Sequence, residues 1–228
     1  MREIYVTELY TSFQGEGPYV GRQAIFLRLA GCNLSCSWCD SRFSWDKKYP
    51  AFVEPTIFST ASLTEKLRRF QQKLCVVTGG EPLLQEKALA ELSVNLAGEK
   101  ELQIETNGTK FPHMLASSPC DISFIVSPKL ANSGMPEHQR IYPEVLKSFV
   151  ETNAWFKFVV STEDCIAEVK DIVSTIGIPT SRVFIMPEGI NATSQLTTLR
   201  TLAESILSSG FNISPRLHIL IWGDERGR

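Results

Sequence analysis

Three cysteines in one short segment are the residues with the clearest chemical potential. Cys32, Cys36 and Cys39 follow one another in Gly31-Cys32-Asn33-Leu34-Ser35-Cys36-Ser37-Trp38-Cys39-Asp40, which is a C-x3-C-x2-C pattern. Iron–sulfur clusters are usually held by cysteine thiolates, which are soft metal ligands. A cubane with four irons has one more corner than this segment has cysteines. The pattern therefore predicts a 4Fe-4S cluster in which one iron is open to another ligand.

Two other interpretations of the cysteine segment are a structural zinc site and a ferredoxin-like electron carrier. Zinc normally takes four Cys or His ligands in paired spacings, and His113, His138 and His218 do not lie at such a spacing. A ferredoxin supplies a fourth cysteine, and neither Cys75 nor Cys120 lies in a motif for it. The open cluster is favoured, and a non-enzymatic iron–sulfur protein remains the alternative.

Apolar, β-rich runs alternate with amphipathic helical patterns along most of the chain. The predicted strands lie at 24–29, 74–78, 102–105, 122–126, 155–160, 183–186 and 217–221. The predicted helical stripes are Leu63, Leu67 and Phe70; Leu89, Leu92 and Leu96; Ile166, Val169, Ile172, Val173 and Ile176; and Leu196, Leu199, Leu202 and Ile206. This alternation predicts an α/β fold with a mainly parallel sheet covered by helices.

The residues with chemical potential follow the predicted strands. The motifs are Gly31-Cys32, Gly79-Gly80-Glu81-Pro82, Thr106-Asn107-Gly108, Ser127-Pro128-Lys129 and Met186-Pro187-Glu188-Gly189. Because the carboxyl ends of parallel strands meet at one edge, these loops are expected to build one site. No linker interrupts the pattern, so residues 1–228 are predicted to form one domain. An irregular excursion is predicted at 45–55, and another mobile surface loop at 132–139.

Composition and charge exclude several classes of partner. The formal net charge is −2 and no block of Lys or Arg occurs, which argues against a nucleic-acid-binding protein. No apolar run approaches the roughly 18 residues of a membrane span. The amino terminus has no signal-peptide pattern, so the reducing cytoplasm is the expected compartment. Cys75, Cys120 and Cys165 are therefore expected to be small buried residues rather than disulfides.

Two motifs resemble those of the radical S-adenosylmethionine superfamily. They are the cysteine loop, with its aromatic residue before the last cysteine, and Gly79-Gly80-Glu81-Pro82. The resemblance implies an incomplete parallel β/α barrel of the TIM type. It also implies that S-adenosylmethionine chelates the open iron through its amino and carboxylate groups, and that one electron then cleaves it to a 5′-deoxyadenosyl radical. No catalytic side chain is therefore named.

The same resemblance assigns residues to the cofactor. Glycines let the backbone approach a ligand closely, and the superfamily's motif matching Gly79–Pro82 holds the cofactor's amino group. The alternative is a turn in which Glu81 caps a helix and Pro82 is its first residue. The segments Glu105–Gly108 and Ser127–Lys129 resemble the ribose-side and cofactor-side loops. The implied cofactor-binding residues are Trp38, beside the adenine, Cys39, Asp40, Gly80, Ser127, Pro128 and Lys129.

Three further segments resemble the 7-carboxy-7-deazaguanine synthase family. They are Phe13-Gln14-Gly15-Glu16-Gly17, Cys39-Asp40-Ser41, and Trp222-Gly223-Asp224-Glu225-Arg226-Gly227 after His218. The resemblance implies a lyase that converts 6-carboxy-5,6,7,8-tetrahydropterin to 7-carboxy-7-deazaguanine by radical ring contraction with loss of ammonia. This reaction belongs to 7-deazapurine biosynthesis, which provides the queuosine precursor.

The family resemblance also implies substrate contacts and partners. The matching substrate-binding positions are Phe13, Gln14, Gly15, Arg28 and Thr78, with Glu16 as an addition and a substrate loop around 11–18. A guanidinium such as that of Arg28 suits the substrate carboxylate. Ser41 matches a ligand of Mg²⁺, whose coordination the substrate completes. A homodimer and an electron donor such as flavodoxin are also implied.

One enzyme alternative keeps the cluster and the cofactor. It is an activase that makes a glycyl radical on a large partner protein, since such proteins share the C-x3-C-x2-C loop. The Gln14–Gly17 loop and the Trp222–Gly227 tail argue against it.

Overall fold

The computed structural model describes residues 2–228, which form one mixed sheet with helices packed around it. The strands are β1 (Glu3–Phe13), β2 (Gln23–Leu29), β3 (Thr56–Ser59), β4 (Leu74–Gly79), β5 (Glu101–Thr106), β6 (Asp121–Val126), β7 (Trp155–Val160), β8 (Val183–Pro187) and β9 (Asn212–Ile213). The helices are α1 (Thr60–Arg68), α2 (Glu86–Leu96), α3 (Glu137–Arg140), α4 (Pro143–Glu151), α5 (Glu163–Ile176), α6 (Ala192–Ser208) and α7 (Leu217–Trp222). In this set, no helix is both long and apolar enough to span a membrane.

The strand order of the sheet is β3-β1-β2-β4-β5-β6-β7-β8-β9. From β2 to β9 all neighbouring strands pair in parallel, whereas β1 is antiparallel to both β2 and β3. The two ends of the sheet, β3 and β9, do not pair within residues 2–228, so the barrel stays open. The prediction of an incomplete parallel β/α barrel is confirmed.

Two segments differ from the predicted secondary structure. The run 217–221, predicted as a strand, forms the short helix α7 instead. Periodicity does not separate strand from helix in so short an apolar run, and the Leu217 amide is bonded to the Gly15 carbonyl rather than to a strand. The long strand β1 was not predicted, because polar side chains such as Glu8 and Thr11 interrupt its apolar alternation.

The helical stripes mostly pack against the sheet as predicted. The stripe of α5 is buried throughout, as is that of α2. Of the stripe predicted on α6, only Leu202 and Ile206 are buried and Leu196 is exposed, so the predicted stripe is too long there. The three scattered cysteines, Cys75, Cys120 and Cys165, are buried and unbonded to one another, as expected.

The two irregular segments differ in kind. The predicted excursion at 45–55 contains turns but no strand or helix, and Tyr49 and Ala51 within it line the main cavity. The segment at 132–139 was expected to be a mobile loop. It instead contains the end of a 3₁₀ turn (Ala131–Ser133) and most of α3. The Ser133 carbonyl accepts from the Ser37 amide of the cysteine loop, and the flanking residues Ala131 and Arg140 bond to Glu168 on α5.

Candidate active site

A cavity of about 480 Å³ opens at the carboxyl ends of the parallel strands. It brings together most of the residues singled out by sequence. On the predicted cofactor and metal side these are Cys32, Cys36, Trp38, Cys39, Asp40, Ser41, Gly80, Ser127 and Lys129. On the predicted substrate side they are Phe13, Gln14, Arg28 and Thr78. Gly15 and Pro128 are not among the lining residues, although each lies next to residues that are.

The cysteine segment presents three unbonded thiols to this cavity. Two of the sulfurs already accept N–H donors: the Leu34 amide lies 3.4 Å from Cys32 Sγ, and Trp45 Nε1 lies 3.4 Å from Cys39 Sγ. Burial raises the pKa of the Cys32 thiol to about 11. N–H bonds to cysteine sulfur are among the features that tune iron–sulfur clusters, so this donor set fits a cluster. No three His, Cys, Asp or Glu side chains among residues 2–228 converge on a single-ion position.

Gly80 packs directly against the cysteine segment. A Cβ at this position would lie 1.9 Å from the Gly31 carbonyl oxygen and 2.9 Å from Cys32 Cβ. The amide of Glu81 donates to the same Gly31 carbonyl over 2.8 Å. Only glycine therefore allows the second loop to touch the first at the cavity wall.

The Glu81 side chain joins loops rather than facing a ligand. It is fully buried and accepts from the Leu83 amide (2.9 Å), the Asn107 amide (2.7 Å) and Thr106 Oγ1 (2.8 Å). Glu81 is thus the N-cap of the 3₁₀ turn Pro82–Gln85, with proline at its first position. Of the two interpretations of this motif, the capping one describes the side chain, and only the backbone is left for a ligand.

Trp38 and Lys129 meet on the cofactor side of the cavity. Lys129 Nζ lies 5.6 Å from the centre of the Trp38 ring and 3.0 Å from Ser127 Oγ. The Trp38 Nε1 atom is buried and has no hydrogen-bond partner among residues 2–228. This donor is free to bond to an acceptor of a bound molecule or to water.

On the substrate side, four adjacent strands place one row of polar side chains at the cavity. Glu8 on β1 is in register with Arg28 on β2, which is in register with Thr78 on β4. Arg28 Nε donates to Glu8 Oε2 over 2.9 Å, and Thr78 Oγ1 donates to Glu105 Oε2, on β5, over 3.1 Å. The row therefore offers one ligand both the guanidinium of Arg28 on β2 and the carboxylate of Glu105 on β5, two strands away in the sheet.

A second group of charges lies beside this row. Lys157 Nζ is 2.5 Å from Glu16 Oε2 and 3.7 Å from Glu105 Oε1. Arg216 Nε is 3.1 Å from Glu16 Oε1, and its guanidinium also pairs with Asp40. Burial alone would raise the pKa of Glu16, but the charges of Lys157 and Arg216 hold it well below its usual range. Glu16 is therefore an anion that anchors the loop at 11–18 between two cations.

The Lys157→Met variant is expected to lose about 3–5 kcal/mol of stability at pH 7, because Glu16 keeps its charge without its closest cation. The pKa of Glu16 is lower in the folded protein than in the unfolded chain. The stabilisation by the pair is therefore complete above the unfolded pKa of about 4.3, and it is lost progressively as the pH falls below that value. Urea unfolding at pH 7 and pH 3.5 should show the loss shrinking at the lower pH. Lys100→Met is the control, because the buried Lys100 ammonium donates to two backbone carbonyls. Equal pH profiles for both variants would contradict this.

The carboxyl-terminal tail covers one side of the cavity. Residues 223–228 line it, and Trp222 stacks on Phe13 at 6.1 Å between ring centres. The Arg226 guanidinium lies 4.1 Å from the centre of the Phe43 ring and pairs with Glu8, the partner of Arg28. The tail thus contacts both the row of polar side chains, through Glu8, and the segment after the cysteines, through Phe43.

Gly15 packs against His218, which explains why it does not line the cavity. A Cβ there would lie 2.2 Å from His218 Nδ1, and the Gly15 carbonyl accepts from the Leu217 amide over 2.9 Å. Gly15→Ala is expected to displace His218 and to cost about 1–3 kcal/mol of stability, the typical effect of overpacking. Urea unfolding of Gly15→Ala, His218→Ala and the double variant tests this. The alanine at 15 should cost less when residue 218 is alanine, and strictly additive losses would contradict the contact.

Several polar residues of the site were missed by sequence reasoning. They are Glu8, Glu105 as a side chain of the cavity, Lys157 and Arg216. One signal was available: Lys157 interrupts the apolar run Trp155–Val160, and a charge in a buried strand requires a partner. Glu8 and Arg216 carry no such local signal, because neither interrupts an apolar run that would mark it as buried.

Comparisons with known proteins agree with this geometry. The family model of the Radical SAM superfamily matches residues 27–117. The fold is similar to the crystal structure of QueE from Escherichia coli, with a TM-score of 0.73, 23% identity and 95% of each chain covered. It is also similar to Streptococcus suis SuiB bound to S-adenosylmethionine, with a TM-score of 0.56, 16% identity, and 81% of this chain and 48% of that one covered.

Relatives of similar length are closer in sequence. The 7-carboxy-7-deazaguanine synthase of Pyrobaculum aerophilum is 38% identical over 99% of this chain and 97% of the relative. That of Hyperthermus butylicus is 37% identical over 96% of this chain and 92% of the relative. With this identity along nearly its whole length, the chain belongs to the 7-carboxy-7-deazaguanine synthase family of radical S-adenosylmethionine enzymes.

Proposed function

We propose that the protein is a lyase that converts 6-carboxy-5,6,7,8-tetrahydropterin to 7-carboxy-7-deazaguanine, with loss of ammonia, on the route to queuosine-type 7-deazapurines. The observation that carries this proposal is a single cavity in which the three-cysteine loop faces a guanidinium and carboxylate row. One half suits a cluster and its cofactor, and the other suits a bicyclic substrate that bears a carboxylate. The match to synthases of this name along nearly the whole chain supports the same reaction.

The substrate half of the cavity provides complementary groups. Arg28 would pair with the substrate carboxylate, because its planar guanidinium binds carboxylates in a bidentate way. Glu105 faces the other end of the row, where a pterin presents adjacent N–H donors. Glu105 Oε1 already accepts from Gln14 and Gln103, whereas Oε2 has Thr78 as a donor and retains a lone pair. These residues orient the ring by charge and hydrogen bonds.

The cofactor half is proposed to hold the cluster on Cys32, Cys36 and Cys39, and S-adenosylmethionine beside Trp38, Asp40, Gly80 and the segment Ser127–Lys129. When bound, they supply the one-electron chemistry that removes a hydrogen from the substrate. The contribution of the chain is positioning: the tail at 223–228 and the excursion at 45–55 enclose the reacting groups. The carbon to be attacked is thereby kept away from water and other hydrogen donors.

Other parts of the proposal rest on the family resemblance. Ser41, nearly buried and 3.6 Å from Cys39 Sγ, is proposed as a Mg²⁺ ligand that the substrate carboxylate completes. Residues 1–228 are proposed to act as one domain in the cytoplasm, as a homodimer reduced by a flavodoxin-like donor. The segment at 11–18, which includes Gly15, is proposed to form the substrate loop, and Pro128 keeps its proposed place beside the cofactor.

An anaerobic assay tests the proposal directly. Reconstituted protein is mixed with dithionite, S-adenosylmethionine, Mg²⁺ and the carboxytetrahydropterin, and the products are separated by chromatography. The expected result is 7-carboxy-7-deazaguanine together with ammonia, and a lower rate after divalent metals are chelated. Cofactor cleavage without any deazapurine would refute the proposed substrate and favour the activase. A reduced-cluster EPR signal that S-adenosylmethionine leaves unchanged would favour the non-enzymatic alternative.

A further inference from the structure

The segment from Ser127 to Arg140 contacts both the cavity and the cysteine loop. Its start carries Ser127 and Lys129, and Lys129 lies against Trp38. Its middle lies against the cysteine loop: the Ser37 amide donates to the Ser133 carbonyl over 2.9 Å. The position of this segment therefore sets both the cation at the cavity and one side of the loop that carries Cys36 and Cys39.

One buried arginine at the end of this segment binds back to its beginning. Arg140, the last residue of the short helix α3, is 5% exposed. Its Nε donates to the Met135 carbonyl over 3.1 Å, and its Nη1 donates to the Lys129 carbonyl over 2.9 Å. The carbonyl of Lys129, the residue at the cavity, is thus fixed directly by Arg140.

The arginine is in turn fixed to the barrel through Glu168 on α5. Glu168 Oε1 lies 2.7 Å from Arg140 Nη1, and Oε2 accepts from the Ala131 amide over 2.9 Å. The position of helix α5 is itself fixed, because its apolar stripe from Ile166 to Ile176 is buried. The Arg140 guanidinium is buried and the Glu168 carboxylate is half-buried. Because both also bond to backbone, they hold the segment in one position, and loss of Glu168 would leave a buried guanidinium without its carboxylate partner.

We propose that Arg140 and Glu168 are positioning residues for S-adenosylmethionine. They hold Lys129 against Trp38 and hold the segment 131–135 against the cysteine loop. Neither is among the residues of 2–228 that line the cavity, so both act through the segment they bind. This inference rests on the proposed function only in taking S-adenosylmethionine as the cofactor, and it does not depend on the identity of the substrate.

The test removes the hydrogen-bond donors and keeps the length of the side chain, in the variant Arg140→Met. Hydrogen–deuterium exchange of the protein without its cluster measures the segment itself. Affinities for S-adenosylmethionine and for the pterin are then measured on reconstituted protein, the former by the cofactor-dependent change in the cluster EPR signal. Arg140→Lys keeps the charge near Glu168 but lacks the forked donors. Arg68→Met is the control, since Arg68 bonds to Glu65 on α1, to the Asn95 carbonyl on α2 and to Glu99 just after α2.

In Arg140→Met, amide exchange in 127–140 and at Ser37 is expected to accelerate by about tenfold or more, because each lost bond stabilises by about 1 kcal/mol. The affinity for S-adenosylmethionine should fall by about tenfold, while that for the pterin at saturating cofactor changes less than about twofold. Arg140→Lys should lie between, and Arg68→Met should change none of these values.

Unchanged exchange in the segment, unchanged cofactor affinity, or equal losses of cofactor and pterin affinity would each overturn the inference. Should Arg140→Met not fold, Glu168→Gln decides by the same measurements, since it weakens the pair but keeps a carbonyl oxygen for the Ala131 amide. A wild-type protein that binds S-adenosylmethionine but makes no deazapurine would refute the proposed function. The comparison of exchange and cofactor affinity would still stand in that case.

Discussion

Replacing Cys36 with alanine is expected to abolish both cluster binding and turnover. Three thiolates are the complete protein ligand set of the proposed cluster, so the loss of one leaves two of its four irons without a protein ligand. The cluster is then held too weakly to survive reconstitution. Iron and sulfide content after anaerobic gel filtration should fall close to zero, the broad visible absorption should vanish, and product should fall below detection. Cys32→Ala and Cys39→Ala should behave alike.

The control for this prediction is a cysteine outside the site. Cys165 is buried on α5, with Ser161 Oγ at 3.8 Å and Thr162 Oγ1 at 3.6 Å from its sulfur. Because these hydroxyls can bond to a serine, Cys165→Ser should cost about 1 kcal/mol and retain a full cluster. Iron bound at the wild-type level in Cys36→Ala, or lost equally in Cys165→Ser, would show that the segment is not the ligand set.

Replacing Arg28 with alanine is expected to weaken binding of the pterin by roughly 100-fold, about 3 kcal/mol. The guanidinium is the cation of the polar row, and without it the substrate carboxylate would lie beside Glu8, whose remaining cation is Arg226 of the tail. The cofactor half is untouched, so S-adenosylmethionine should still be cleaved. The expected measurement is a raised KM for the pterin and an increased ratio of 5′-deoxyadenosine to deazapurine, because a badly held substrate does not capture the radical.

Two further variants separate charge from position. Arg22 lies just before β2, at the amino-terminal ends of the strands and away from the cavity, and pairs with Glu101 at 2.7 Å. Arg22→Ala should leave the KM for the pterin unchanged. Adding Glu8→Gln to Arg28→Ala removes the carboxylate that is left with Arg226 as its one cation, and should recover part of the affinity. Wild-type KM and coupling in Arg28→Ala would remove Arg28 from the substrate site.

The Cys36 and Arg28 variants and the Lys157 and Gly15 variants probe different features of one site. Cys36 and Arg28 concern what is bound, whereas Lys157 and Gly15 concern how the substrate loop is held. Lys157 fixes this loop through Glu16, and Gly15 lets it approach His218. A functional defect in either of the latter variants should therefore accompany a loss of stability, which the Cys36 and Arg28 variants need not show.

Much of the fold was predictable because its signals are local. The strand pattern of β2, β4, β5, β6, β7 and β8 and the stripes of α2 and α5 depend on neighbouring residues, and the structure confirms them. The errors also have local causes. The apolar run that forms α7 is too short to show a period, and the polar residues that β1 turns toward the cavity conceal its strand character.

The sequence by itself determined the chemistry that is encoded within single loops. The spacing of Cys32, Cys36 and Cys39, and the glycines at 79 and 80, are local arrangements that any fold with these loops at one edge would present. They were sufficient to indicate the cluster, the superfamily and the general position of the site.

Only the tertiary structure decided which distant residues meet. The Glu8–Arg28–Thr78–Glu105 row depends on the register of four strands, and the Glu16–Lys157 and Arg140–Glu168 pairs join segments 141 and 28 residues apart. The structure also decided that the Glu81 side chain joins loops and that Gly15 faces His218. The physical reason is that charge pairing and close packing depend on three-dimensional distance, which strand order and register set and which spacing along the chain does not contain.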